Sequence, residues 1–206
     1  MKNVALTTLA GLAISATASA GTNIGSFGGG AIPDATTSHV TPGVLTLTGT
    51  VTGGGTVQDL GVVVDLTHTW VGDIDISITS PMGTTVGLLF RAGQTSATSF
   101  GDSSDFGGSY NFRDGGADLW AAAAAAGSTT AIASGQYAPS GAFNAPSSLA
   151  ALNGESANGT WTLVVKDWGG ADTGNVGGWS LLNVPTPGAA AVFGVAGLAG
   201  MRRRRH

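Results

Sequence analysis

His68 is followed by Asp73 and Asp75, then by Ser77 and Ser80. A histidine, carboxylates and hydroxyls in one short stretch are the raw material of nucleophilic catalysis. In a triad the histidine stands between a nucleophile and a carboxylate. The frame for such chemistry is missing from the sequence. No Gly-x-Ser-x-Gly elbow occurs, and no His-Glu-x-x-His pattern. His68 reads instead as a structural residue whose hydrogen bond fixes the turn before Gly72.

The remaining carboxylates suggest a second chemistry. Asp73 starts a strand after a glycine turn, and Asp114 lies in a long Gly-rich stretch. Asp167 ends a strand, and Asp172 follows in a turn with Gly174. Oxygen ligands gathered from such loops suit Ca²⁺, which takes six to eight of them at about 2.3 to 2.6 Å. The expectation is a calcium clamp with Asp73 and Asp114 at its core and Asp167 and Asp172 as a second group. The competing reading is that these residues cap turns or lie in solvent. A glycosidase acid–base pair is a further use of two carboxylates, but no cleft is implied. Trp161 and Trp179 sit in strands and read as core. Trp70, Trp120 and Trp168 lie near turns, where tryptophans stack on sugars, bind protein partners or anchor loops half-buried. The expected partner is a protein or a surface polysaccharide.

The elements that position these residues are strands. Residues 73–79 alternate strictly, so Ile74, Ile76 and Ile78 share one face and Asp73, Asp75 and Ser77 the other. That pattern marks a half-buried antiparallel strand with its isoleucines inward and its aspartates outward. Ser80-Pro81-Met82-Gly83 is a turn, and Thr84–Arg91 returns as the hairpin partner. Val44–Val51, the run around Val62–Val64, Gly159–Asp167 and Val176–Val184 read as further strands. Residues 21–42 read as a flexible lead-in with room for a short first strand. Residues 92–118 read as a long polar loop ordered by function or metal. A short helix is expected over Ala121–Ala126, ended by Gly127. Residues 135–154 read as an ordered loop tied down by Tyr137, Phe143 and Leu149. Short strands with Gly-rich connections imply an all-β, jelly-roll-like antiparallel β-sandwich of about eight strands. Gly supplies 35 of 206 residues, far above the usual share of about 7%. There is no cysteine, so stability must come from core burial or a bound metal.

Both ends of the chain read as targeting segments. Residues 1–20 combine Lys2, an apolar run and Ala18-Ser19-Ala20, the pattern of a cleaved signal peptide. The body then holds three cations, Arg91, Arg113 and Lys166, against twelve carboxylates, which leaves −9. That charge argues against nucleic acid or an anionic membrane as partner. Residues 185–206 carry a proline break, a thirteen-residue apolar run and four arginines. The run is short for a span of about 30 Å. This three-part tail resembles the PEP-CTERM class of bacterial sorting signals, although Val184-Pro185-Thr186-Pro187 has threonine where that class has glutamate. The resemblance implies export, transient inner-membrane association through the tail, and release or transfer to the cell surface. A simple C-terminal anchor is the alternative.

Six segments occur in order between residues 44 and 183: His68–Ile74, Ser80–Thr84, Tyr110–Asp114, Gly135–Pro139, Asn158–Leu163, and Asp167–Gly174 continuing to Trp179-Ser180-Leu181. Together they resemble the P domain, or Homo B domain, of proprotein convertases and bacterial exported proteases. The resemblance implies a β-sandwich that is not itself catalytic and that supports a subtilisin-type protease domain. It also makes His68 part of a shared, non-catalytic segment. The chain is too short to hold that protease beside the sandwich. The expected function is therefore an exported, non-catalytic binding or surface module. The alternatives are an accessory module of a secreted subtilisin-like protease, or a hydrolase in its own right.

Overall fold

The computed structural model describes residues 21–183. The proposed signal peptide and the sorting tail lie outside the described residues. Nine strands form two sheets. They are β1 (Thr22–Ile32), β2 (Gly43–Val51), β3 (Leu60–His68), β4 (Ile74–Thr79), β5 (Thr85–Phe90), β6 (Phe106–Ala117), β7 (Gly135–Tyr137), β8 (Gly159–Asp167) and β9 (Gly174–Asn183). One sheet has the order β1-β9-β3-β6-β7 and the other β2-β8-β4-β5. All pairings are antiparallel except β6 with β7. The all-β sandwich expected from periodicity is thus the observed architecture.

The core lies between the inner faces of the sheets. Ile74, Ile76 and Ile78 of β4 are fully buried, as their alternation requires. On β8, Trp161, Leu163 and Val165 are fully buried on the same period. The facing sheet contributes Val62, Val64 and Leu66 from β3, Tyr110 and Phe112 from β6, and Trp179 and Leu181 from β9. With no disulfide, this burial carries the stability. A fully buried isoleucine truncated to alanine costs about 2 to 5 kcal/mol in such a setting.

Three regions differ from the sequence reading. The lead-in contains the eleven-residue strand β1, an edge strand paired along its length with β9. The long polar loop contains the twelve-residue strand β6, which turns Phe106, Tyr110 and Phe112 inward. Phe143, expected to tie down its loop, is 58% exposed, whereas Tyr137 and Leu149 are buried. The expected helix is present as α1 (Leu119–Ala126). The Asp118 carboxylate accepts from the Trp120 and Ala121 N–H groups, capping its free amides, and Gly127 ends it at a φ of 80°.

Candidate functional site

Four chain segments meet at one end of the sandwich. The connections β1–β2, β3–β4 and β8–β9 each pass from one sheet to the other there, and the loop after β5 packs against them. Their backbones are laced together. Trp168 N–H donates to Asp73 O at 2.9 Å, His39 N–H to Trp168 O at 2.8 Å, and Thr69 N–H to Thr173 O at 3.3 Å. The Thr69 hydroxyl donates to Asp172 Oδ1 at 2.8 Å.

His68 ends β3 in one sheet, and Asp167 ends β8 in the other. Their side chains meet at 3.1 Å, with 0% and 1% of the side-chain surface exposed. His68 Nδ1 lies against the Trp70 backbone, 3.1 Å from its N–H and 2.9 Å from its carbonyl oxygen, and Nε2 faces Asp167 Oδ2. The other Asp167 oxygen accepts the Gly169 N–H at 3.0 Å. Both groups are therefore spent. The histidine fixes the turn before Gly72, as expected, and the pair closes the gap between the sheets like a clasp.

Asp73 completes the cluster. It lies in a 3₁₀ turn (Val71–Asp73), ahead of β4 and not in it, and is 1% exposed. Its Oδ1 is buried without a hydrogen-bond partner among the described residues. The loop 168–173 lies against its carboxylate so closely that a Cβ at Gly169 would overlap it. Burial pushes its pKa up to about 7, and the charges of Asp167 and Asp172 add to the rise; His68 and Arg91 oppose it. Asp75 is also buried, at 8% exposed, opposite Lys166 in register, and the two side chains pair at 3.3 Å. The expectation that these aspartates face solvent is corrected. The crossing loops and a cross-strand lysine cover the outer face at this end.

The four expected calcium ligands are not brought together. Asp73, Asp167 and Asp172 share this end. Asp114 lies eight residues beyond Phe106 on β6, and Phe106 is the residue level with His68. That spacing is roughly 25 Å along the strand. There Asp114 accepts the Ser148 hydroxyl at 2.7 Å and the Leu149 and Ala150 N–H groups at 3.0 and 2.9 Å. Its role is to cap the 3₁₀ helix Leu149–Leu152. Among the described residues, no three His, Cys, Asp or Glu side chains are grouped to hold a metal ion. The oxygens of Asp167 are turned to protein donors, as is one oxygen of Asp172. Trp161 and Trp179 are core, Trp70 and Trp168 are half-buried loop anchors, and Trp120 is half-buried on α1, packed against the core.

Sequence reasoning passed over Arg91 and His39. Arg91 is 2% exposed, and both residues have positive φ, 42° and 62°. A non-glycine residue held there is strained by about 1 to 3 kcal/mol and belongs to a site the surroundings over-determine. The signal was available: Arg91 is one of three cations in the body and closes an apolar strand.

A family model described as the proprotein convertase P-domain matches residues 57–107 and 125–182. Among solved structures, the chain is similar to the crystal structure of the serine protease of Aeromonas sobria in complex with its chaperone. The identity is 21% and the TM-score 0.40, over 76% of this chain and 25% of that one. The structure of the serine protease of Aeromonas sobria alone matches at 19% identity and a TM-score of 0.40, with the same coverage. The chain spans about a quarter of the length of those proteins. No curated protein matches it significantly.

Proposed function

Because the chain belongs to the proprotein convertase P-domain family, we propose that it is an exported, non-catalytic module that acts by binding, as an accessory to a secreted serine protease. The P domain is the non-catalytic accessory domain of the convertases. The observation that carries the reading is the state of His68. A general base needs one free nitrogen and a reachable nucleophile. His68 has neither: one nitrogen is held by the Trp70 backbone, the other by Asp167, and its side chain is sealed from solvent. The histidine–carboxylate pair serves the fold and not a reaction.

The test is to add the purified protein to a secreted subtilisin-like protease from the same source during refolding. The expected result is a severalfold rise in the yield of active protease. No rise, together with peptide or glycoside turnover by this chain that disappears in His68→Ala, would replace the accessory reading with a hydrolase. Protein donors close the clasp. The melting temperature is expected to be the same with and without a chelator. A rise of several degrees on adding calcium would return Asp73 and Asp172 to the role of ligands.

A further inference from the structure

Beside the clasp lies a cavity of about 250 Å³ walled by His39, Phe90, Arg91, Gln94, Ala97 and Trp168. We propose that it binds a carboxylate on a short stem. The source is either an acidic side chain of a protein partner or a free small acid. The inference does not depend on whether the partner is a protease.

The first argument is charge. The body has three cations. Arg113 pairs with Asp59, and Lys166 pairs with Asp75. Arg91 has no carboxylate at ion-pair distance among the described residues, although it is almost fully buried. Its Nε–H donates to Gly72 O at 3.1 Å and one Nη1–H to Ala97 O at 3.1 Å. The Nη2 hydrogens go to His39 Nδ1, at 2.9 Å, and to Ser99 O. Four of its five N–H groups are thus fixed by loop acceptors. Among the described residues the second Nη1–H has no acceptor, and the positive charge has no paired counter-ion; Asp73 and Asp75 act on it only from beyond ion-pair distance. A buried charge without a paired counter-ion is costly.

The second argument is the set of polar atoms left over. His39 Nδ1 accepts from the guanidinium, so its ring proton is on Nε2. Burial, and then the charge of Arg91, hold the His39 pKa below its ordinary value, which keeps that neutral tautomer. His39 Nε2 is buried without a partner, and so is Trp168 Nε1. Both belong to residues that wall the same cavity as the unmatched guanidinium. Gln94, only 5% exposed, adds one unpartnered oxygen. Three N–H donors and one positive charge around one small space are the complement of an anion.

Charge number and size narrow the class. One cation faces the cavity, the Gln94 oxygen repels a second negative charge, and Asp73 and Asp75 already act on Arg91. A monoanion fits where a phosphate dianion does not. The volume is below the roughly 300–1,000 Å³ of sites for drug-sized ligands, so it takes a side chain and not a sugar chain. Phe90, Ala97 and the Trp168 ring supply an apolar sleeve for a stem. Outside, Phe100 packs edge-on against the His39 ring with centroids 4.5 Å apart and is 54% exposed, and Val40, next to His39 in the chain, is 72% exposed. They offer contact area to the residues that flank a bound acidic side chain.

The experiment is an NMR titration of the full-length protein, following the Trp168 indole N–H. The probes are sodium acetate, the peptide acetyl-Gly-Asp-Gly-amide, its Asn counterpart and sodium chloride at equal ionic strength. Saturating shifts with acetate and the Asp peptide, and none with the Asn peptide or chloride, are expected. At least tenfold tighter binding of the peptide than acetate identifies a protein side chain as the source; equal affinity identifies a small acid. Because Arg91 also holds loops, the variant of choice is Gln94→Glu, which places a negative charge in the cavity and should weaken acetate at least tenfold. Trp168→Phe should weaken it about fivefold, read from the His39 resonances. Shifts that chloride or the Asn peptide reproduce, no saturating shift, or unaltered affinity in Gln94→Glu would each overturn the proposal.

Discussion

The two ends of the sandwich spend their charged residues differently. At the Asp114 end every carboxylate meets a donor close by. Asp114 takes three, Glu155 accepts from the hydroxyls of Ser80 and Thr84, and Asp59 pairs with the partly exposed Arg113. At the His68 end the groups are deeper and less well matched. His68 and Asp167 are sealed against each other, Asp73 has an oxygen without a partner, and Arg91 lacks a counter-ion. The first end looks like ordinary loop capping. The second concentrates buried charge and strained backbone, which is where binding sites are found.

The largest expected effect is at the clasp. Asp167→Ala leaves His68 Nε2 and the Gly169 N–H buried without their partner. Removing one partner of a buried pair costs about 3 to 5 kcal/mol. Urea unfolding at pH 7 checks it, and a loss below about 1 kcal/mol would show that the pair is incidental. Asp73 should behave in the opposite sense. Its pKa is about 7 in the folded protein against an ordinary value of 3.8. The folded state therefore holds the proton more tightly than the unfolded chain. The stability this contributes is complete below about pH 4 and is lost as pH rises to 7. A shift of that size corresponds to on the order of 4 kcal/mol. Asp73→Asn removes the ionisation, so the variant should match the wild type near pH 4 and exceed its stability at pH 8. Parallel stability–pH curves for the two proteins would show that Asp73 is ionised without penalty.

Strand periodicity was a sound guide wherever one face was apolar. Ile74, Ile76 and Ile78, or Trp161, Leu163 and Val165, state their own orientation. It failed for β1, because Gly28-Gly29-Gly30 has no side chains to alternate. That strand is set by its pairing with β9, and the backbone of Val176 approaches Gly29 too closely for any Cβ. In β6 the inward Phe106, Tyr110 and Phe112 were visible in the sequence, but intervening glycines and polar residues read as loop. At the site, chemistry was legible as residue type and illegible as grouping. Asp73 and Asp167 are neighbours because β4 pairs with β8, Ile74 level with Asp167. Asp114 is remote because β6 runs away from that end. Long-range register decides both, and no local spacing encodes it. Arg91 was missed because its importance lies in what it lacks, a carboxylate partner.

The smaller predictions fall at the Asp114 end and sharpen the contrast. Asp114→Ala removes a cap from the helix Leu149–Leu152 and should cost about 1 to 2 kcal/mol, read by urea unfolding. The Asp59–Arg113 pair is worth less still. Its side chains are 37% and 23% exposed, so water and salt screen the attraction, and Asp59→Asn should cost under about 1 kcal/mol. The effect should shrink further in 1 M salt, where the screening length falls to about 3 Å. A double-mutant cycle with Arg113→Gln isolates the pair from each residue's other contacts. A coupling as large as the loss in Asp167→Ala would erase the distinction between the ends. It would mean that opposite charge alone, without burial, sets the strength of such a pair.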